Sequence, residues 1–244
     1  MDAIAAEGLG FTYPDGRRVL DALTFYVREG ETAALCGLSG SGKTTLLRIL
    51  CGIIPQALPG VVEGEARLFG QSVAGRSIAE LSDVVGYAFQ DADDQLVCTT
   101  VEDELAFGLE NRCVAPEKIR LLVEEALYKW GLESIRLEDP GRLSGGQKRL
   151  VALASLLITG PRLLLLDEPM SHLDAEGRRL MERAFRTLRE DGCTLLIVEH
   201  DLSGLKDADR WLLLADGRVA ADGAPAEILQ NAAYWEGRGI ALAR

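Results

Sequence analysis

The segment GLSGSGKTT, residues 37–45, constrains this chain more than any other, because it requires a particular local fold around it. Gly37, Gly42, Lys43 and Thr44 stand at the defining positions of the pattern G-x-x-x-x-G-K-[ST]. Glycines at this density let the backbone wrap an anion and point N–H groups inward at the start of a helix. The flanks agree with that reading: the apolar run Ala33, Ala34, Leu35, Cys36 leads in, and a helical pattern through Leu46, Leu47, Ile49 and Leu50 leads out. Strand, glycine loop and helix in this order mark an α/β domain. Gly37, Ser39, Gly40, Ser41, Gly42, Lys43, Thr44 and Thr45 are therefore candidate phosphate-binding residues, with Lys43 reaching the terminal phosphates and the Thr44 hydroxyl ligating Mg²⁺.

The rest of the chain keeps an α/β rhythm, in which short apolar runs alternate with helical patterns. Strands are expected at 4–13, 22–27 and 32–36, a strand pair over 61–69, and further strands at 84–89, 163–166, 194–198 and 211–215. Helices are expected at 43–51, 101–109, 116–130, 145–157, 175–190 and 202–207, with Pro116 suited to a first helical position. No repeat or linker interrupts this pattern. One continuous domain over 1–244 is expected, with a core of roughly 1–90 and 160–244 and a helical insertion of roughly 91–159.

Two further groups point to the same chemistry. Four leucines, 163–166, place Asp167 and Glu168 at the C-terminal end of a buried strand, the edge at which parallel sheets bind ligands. Asp167 would hold Mg²⁺, and Glu168 would orient and deprotonate an attacking water. His200, one of only two histidines, ends the apolar run 195–198. A third group, LSGGQ at 143–147, puts Ser144 at the cap of a helix starting near Gly145, with a positive dipole end suited to a phosphate.

Taken in order, GLSGSGKTT, LSGGQ, LLLLDEP and Glu199-His200 resemble the ATP-binding-cassette ATPases over nearly the whole chain. That resemblance implies an α/β fold: a P-loop NTPase (RecA-like) core with an antiparallel β subdomain and an inserted α-helical subdomain. It implies ATP and Mg²⁺ as ligands, Glu168, His200 and Gln90 as catalytic residues, and Thr44, Gln90 and Asp167 at the metal. It also implies that ATP is sandwiched between Lys43 of one cassette and Ser144, Gly145, Gly146 and Gln147 of another, with Asp174 of the SHLD segment at the interface. The second cassette would be an identical or a related chain. Tyr13 stands where the family stacks adenine, and Phe11 is the other aromatic nearby.

The stretch 91–111 resembles the energy-coupling-factor branch of importers, which take up vitamins and transition-metal ions. Gln95 and Leu96, five residues beyond Gln90, fit that branch, and Ala92 departs from it where proline is usual. A transmembrane coupling subunit and a cargo-binding membrane subunit are the implied partners, with the chain on the cytoplasmic face of the membrane. A soluble cassette ATPase, such as one serving iron–sulfur cluster assembly, is the alternative. Ending at Arg244, the chain is expected either to lack a C-terminal dimerisation extension or to be half of a fused two-cassette protein.

Composition narrows the classes further. With 26 basic against 38 acidic residues the net charge is −12, which argues against a nucleic-acid partner and so against a DNA-repair or chromosome-organising cassette. Five cysteines without C-x-x-C spacing point to reduced thiols in the cytosol. The N-terminus lacks a basic then apolar stretch, so no signal peptide is expected, and no run approaches the ~18 apolar residues of a membrane span.

Overall fold

The computed structural model describes residues 1–231 and 235; residues 232–234 and 236–244, at the end of the expected core, lie outside the described residues. In chain order the elements are β1 (Asp2–Thr12), β2 (Arg18–Arg28), β3 (Thr32–Gly37), α1 (Lys43–Leu50), α2 (Ile53–Gln56), β4 (Val61–Leu68), β5 (Gln71–Ser72), α3 (Ile78–Ser82) and β6 (Val85–Ala88). There follow α4 (Val101–Asn111), α5 (Pro116–Trp130), α6 (Gly145–Leu157), β7 (Leu163–Asp167), α7 (Ala175–Glu190), β8 (Thr194–Val198), β9 (Arg210–Ala215), β10 (Arg218–Gly223) and α8 (Pro225–Leu229). They fall into two compact units.

The first unit comprises Met1–Tyr87, Arg162–Glu168 and the described residues from Arg189 onward. It holds an antiparallel sheet in the order β2-β1-β4-β5 and a six-stranded sheet in the order β10-β9-β3-β8-β7-β6. Within the larger sheet β3 runs parallel to β8 and β9, and β7 parallel to β8. Every residue of β3, β7 and β8 is buried, as expected of parallel strands covered on both faces. Leu46, Leu47 and Leu50 of α1 join Leu163 and Leu165 of β7 and Phe11 of β1 in one apolar core. This packing sets the C-terminal ends of β3, β7 and β8 side by side. Those ends carry Gly37, Asp167 and, just past Val198, Glu199 and His200.

The second unit comprises Ala88–Pro161 and Pro169–Leu188 and is helical, built on α4, α5, α6 and α7. Pro116 opens α5 as expected, and Gly131, at φ 67°, closes it in the left-handed conformation. Among the described residues no helix is long and apolar enough to cross a membrane.

The mixed sheets and helical insertion agree with the expected α/β fold, with local corrections. The segment 61–69 holds one strand, Val61–Leu68, rather than a pair, since β4 pairs with β1 along its length and with β5 through only two residues. The segment expected as a helix over 202–207 is a 3-10 turn at Leu202–Leu205, too short to repay helix nucleation. β10 was not expected, yet Asp216 and Gly217, at φ 50° and 72°, make the tight turn that pairs it with β9.

Candidate active site

Two glycines that admit no side chain without a clash, Gly37 and Gly42, bracket the loop between β3 and α1. A Cβ on Gly37 would stand 2.3 Å from the Leu214 carbonyl oxygen. One on Gly42, at φ 103°, would stand 2.7 Å from Leu20 Cδ2. Gly42 precedes α1 and offers no side-chain cap, which leaves the helix's first N–H groups and its positive end to a ligand. The buried Ser41 Oγ has no hydrogen-bond partner. Lys43 is also buried, its Nζ donating to the carbonyls of Gly37 at 2.8 Å and Leu38 at 3.1 Å. Burial lowers its pKa, while Asp167 and Glu168 pull the other way. A cation, an orphan hydroxyl and an uncapped helix end thus converge on one loop, which is the chemistry of an anion cradle.

Asp167 closes this loop from β7. Thr44 Oγ1 donates to Asp167 Oδ1 at 3.2 Å, and the Tyr87 hydroxyl donates to Asp167 Oδ2 at 3.1 Å. Burial raises the Asp167 pKa, and these two donors oppose the rise. Next along the chain, Glu168 adopts φ 50°, a strained left-handed conformation for a residue with a side chain, and its N–H donates to Val198 O at 2.9 Å. Its Oε1 lies 2.7 Å from His200 Nε2. His200 is about half exposed, whereas Glu168 is buried, so the pair spans from the interior to solvent. Cys36, below the loop, is buried, and burial pushes its thiol up to about 11, so it stays protonated at neutral pH.

Tyr13 joins the same unit. Its hydroxyl lies 3.0 Å from Thr45 Oγ1, the Arg17 guanidinium sits 5.0 Å from its ring centre, and Phe11 meets the ring edge-on. Phe11 itself is wholly buried and belongs to the core.

The remaining expected site residues lie in the second unit. Ser144 Oγ accepts from the Gln147 N–H at 3.3 Å, and Gln147 Oε1 accepts from the Ser144 N–H at 3.0 Å, a reciprocal capping box on α6. Asp174 Oδ1 accepts from the Gly177 N–H at 2.7 Å at the start of α7. Ser144, Gly146, Gln147 and Asp174 line one cavity of about 370 Å³. Gly145 lies beside Leu173. Gln90 is exposed at the bend after β6. Gln95 is partly buried: its Nε2 donates to Ala152 O of α6 at 2.9 Å, and its Oε1 accepts from the Phe89 N–H at 3.3 Å.

The structure therefore gathers the loop residues, Asp167, Glu168, His200 and Tyr13 in the first unit, and Gln90, Ser144, Gly145, Gly146, Gln147 and Asp174 in the second. Sequence reasoning missed Tyr87, whose only signal was a polar ring on an otherwise apolar strand next to Gln90. It also missed Arg149, which donates to the Ser171 carbonyl at 2.9 Å, and Gly177, whose Cα would stand 2.5 Å from a Cβ on Gly146.

The model of the ABC transporter family matches residues 20–171. The chain is 42% identical over 223 residues to an ABC transporter ATP-binding protein of Methanosarcina acetivorans, covering 90% of this chain and spanning 35% of that protein's length. To the energy-coupling factor transporter ATP-binding protein EcfA1 of Mycoplasma pneumoniae it is 34% identical, covering 95% of this chain and 82% of the relative. Among solved structures, cbiO1 of Clostridium perfringens, described as part of the ABC transporter complex cbiONQ, is similar with a TM-score of 0.85 and 29% identity. That match covers 94% of this chain and 91% of the other. A dimeric ATP-binding cassette in a post-hydrolysis state with ADP and Pi is similar with a TM-score of 0.77 and 27% identity, covering 91% of this chain and 98% of the other. With a glycine loop that holds a buried lysine beside an uncapped helix end, an acidic pair at its edge and these relatives in view, the chain belongs to the ABC transporter family as an ATP-binding ATPase cassette.

Proposed function

We propose that this chain is the ATP-hydrolysing subunit of a membrane importer of the energy-coupling-factor type, and that its residues 1–244 form one cassette. The observation that carries the reading is the hydrogen-bonded set of Thr44, buried Asp167, buried Glu168 and half-exposed His200 around a glycine loop that holds buried Lys43. The importer subclass is supported by the likeness to EcfA1 and cbiO1 and by the Gln90-to-Gln95 stretch.

The triphosphate is taken to lie on the residues 37–45, with Lys43 as its cation, the Ser41 hydroxyl as a donor and the N-terminus of α1 as a dipole partner. The donors also fit Mg²⁺. Thr44 Oγ1 and Asp167 Oδ1 are hard oxygen ligands 3.2 Å apart. When bound, the ion supplies charge neutralisation on the phosphate oxygens. Glu168 takes a proton from a water whose oxygen bonds to the γ-phosphorus, while the bond to the bridging oxygen breaks and ADP leaves. His200, 2.7 Å from Glu168, orients that base and reads the γ-phosphate beside it. Tyr13, with Arg17 already against its ring, is the platform for adenine.

The other half of the site comes from a second cassette, identical or related. Its Ser144, Gly145, Gly146 and Gln147 present the capped start of α6 to the γ-phosphate, with Asp174 alongside. Binding closes the pair, hydrolysis reopens it, and a transmembrane coupling subunit, with a cargo-binding membrane subunit, converts that motion to uptake at the cytoplasmic face of the membrane. The test is affinity purification of the tagged chain from detergent-solubilised native membranes. Recovery of a multi-span membrane protein in stoichiometric amount is the expected result. Recovery of soluble partners alone would refute the importer reading and leave an assembly ATPase.

A further inference from the structure

We propose that Tyr87 is a positioning residue for the metal-holding carboxylate: its hydroxyl fixes Asp167 so that one carboxylate oxygen stays turned toward Thr44. The proposal rests on the reading of Thr44 and Asp167 as the Mg²⁺ ligands.

The register of the sheet puts the two side chains together. The Val84 carbonyl accepts from both the Arg162 and Leu163 N–H groups, which aligns the starts of β6 and β7. Three residues further along β6 comes Tyr87, and four residues further along β7 comes Asp167, so neighbouring strands end on this pair. A carboxylate has two oxygens and a free rotation about its last bond, and without a second anchor either oxygen could face the metal. Here each oxygen has its own donor: Thr44 Oγ1 on Oδ1 at 3.2 Å and Tyr87 on Oδ2 at 3.1 Å. Tyr87 packs against the apolar core, which steadies the ring and hence the hydroxyl. A partner that holds a ligating carboxylate by its non-ligating oxygen sets both the orientation and the basicity of the ligand.

The test uses the full chain and Mn²⁺ as the probe, read by electron paramagnetic resonance in the presence of a non-hydrolysable ATP analogue. Tyr87→Phe removes one oxygen and keeps the ring. Its expected effect is a roughly tenfold or greater loss of Mn²⁺ affinity, the usual size when such a partner is lost. Analogue affinity in EDTA and the thermal midpoint in EDTA should match wild type. Unchanged Mn²⁺ affinity in Tyr87→Phe, with Asp167→Asn strongly impaired, would overturn this proposal alone. Unchanged Mn²⁺ affinity in Asp167→Asn would overturn the assignment of the carboxylate, and this proposal with it. A loss of analogue affinity in EDTA as large as the loss for Mn²⁺ would mean a general structural role and would also overturn it.

Discussion

Glu168 concentrates the chemistry of the first unit at one backbone position. It follows a strand of four buried leucines, adopts a left-handed φ of 50°, and meets His200 at 2.7 Å. Strain of this kind persists only where the surroundings fix it, here through the Glu168 N–H bond to Val198. Glu168→Gln keeps the shape and a polar contact to His200 but cannot act as a base at neutral pH. ATP turnover should fall by about 10²–10⁴-fold while nucleotide affinity stays within about twofold of wild type. Rapid turnover by the variant would remove Glu168 as the base. The identities of Lys43, Thr44, Asp167, Glu168 and His200 could be read from the sequence because each lies inside a motif whose spacing has a physical reason. Tyr87 could not, because its partner is 80 residues away and only the strand register brings the two together.

Between elements, α6 and α7 of the second unit meet closely at their first turns. Gly146 and Gly177 let the two backbones approach, and a Cβ on Gly146 would fall 2.5 Å from the Gly177 Cα, where only backbone could yield. Arg149 adds a second tie between α6 and the segment before α7, through the Ser171 carbonyl and hydroxyl. Ser144 and Asp174, which cap these two helices, are thereby carried on one block. Gly146→Ala should destabilise the second unit by about 1–3 kcal/mol in urea unfolding, the range for overpacking. Nucleotide affinity of the lone chain should not change. A variant as stable as wild type would mean that the helices part freely. The sequence showed both helices and the Ser144 cap through periodicity and cap chemistry, but not their crossing, since glycines read as caps or loops until a partner backbone is known. The β9–β10 hairpin was legible in principle, through Asp216-Gly217 between apolar runs. The run 202–207 misled because its apolar spacing suits a helix too short to stand without long-range support.

At the scale of the whole molecule, the acidic surface is held partly by arginines that join distant stretches of chain within the first unit. Arg218 beside Asp21 and Arg162 beside Glu29 hold these carboxyls below their ordinary values of 3.8 and 4.5. A depressed carboxyl stabilises the fold above its ordinary value, and that contribution is lost as pH falls through the lower, folded value. Replacing Arg162 and Arg218 by Met should therefore lower the thermal midpoint at pH 7, and the gap to wild type should close as pH drops below about 4. A gap that persists at pH 2.5 would assign the effect to packing rather than charge. The pairs are exposed, so the shift should be small and should shrink further in high salt. The central claim is that a single loop in the first unit holds the triphosphate, and calorimetric titration of ATP with Mg²⁺ into the chain and into Lys43→Ala tests it most directly. Removing a charged donor from a phosphate costs about 1.5–3 kcal/mol, so the variant should bind roughly 10–150-fold more weakly. Equal affinity in the two proteins would place the nucleotide elsewhere and contradict the account.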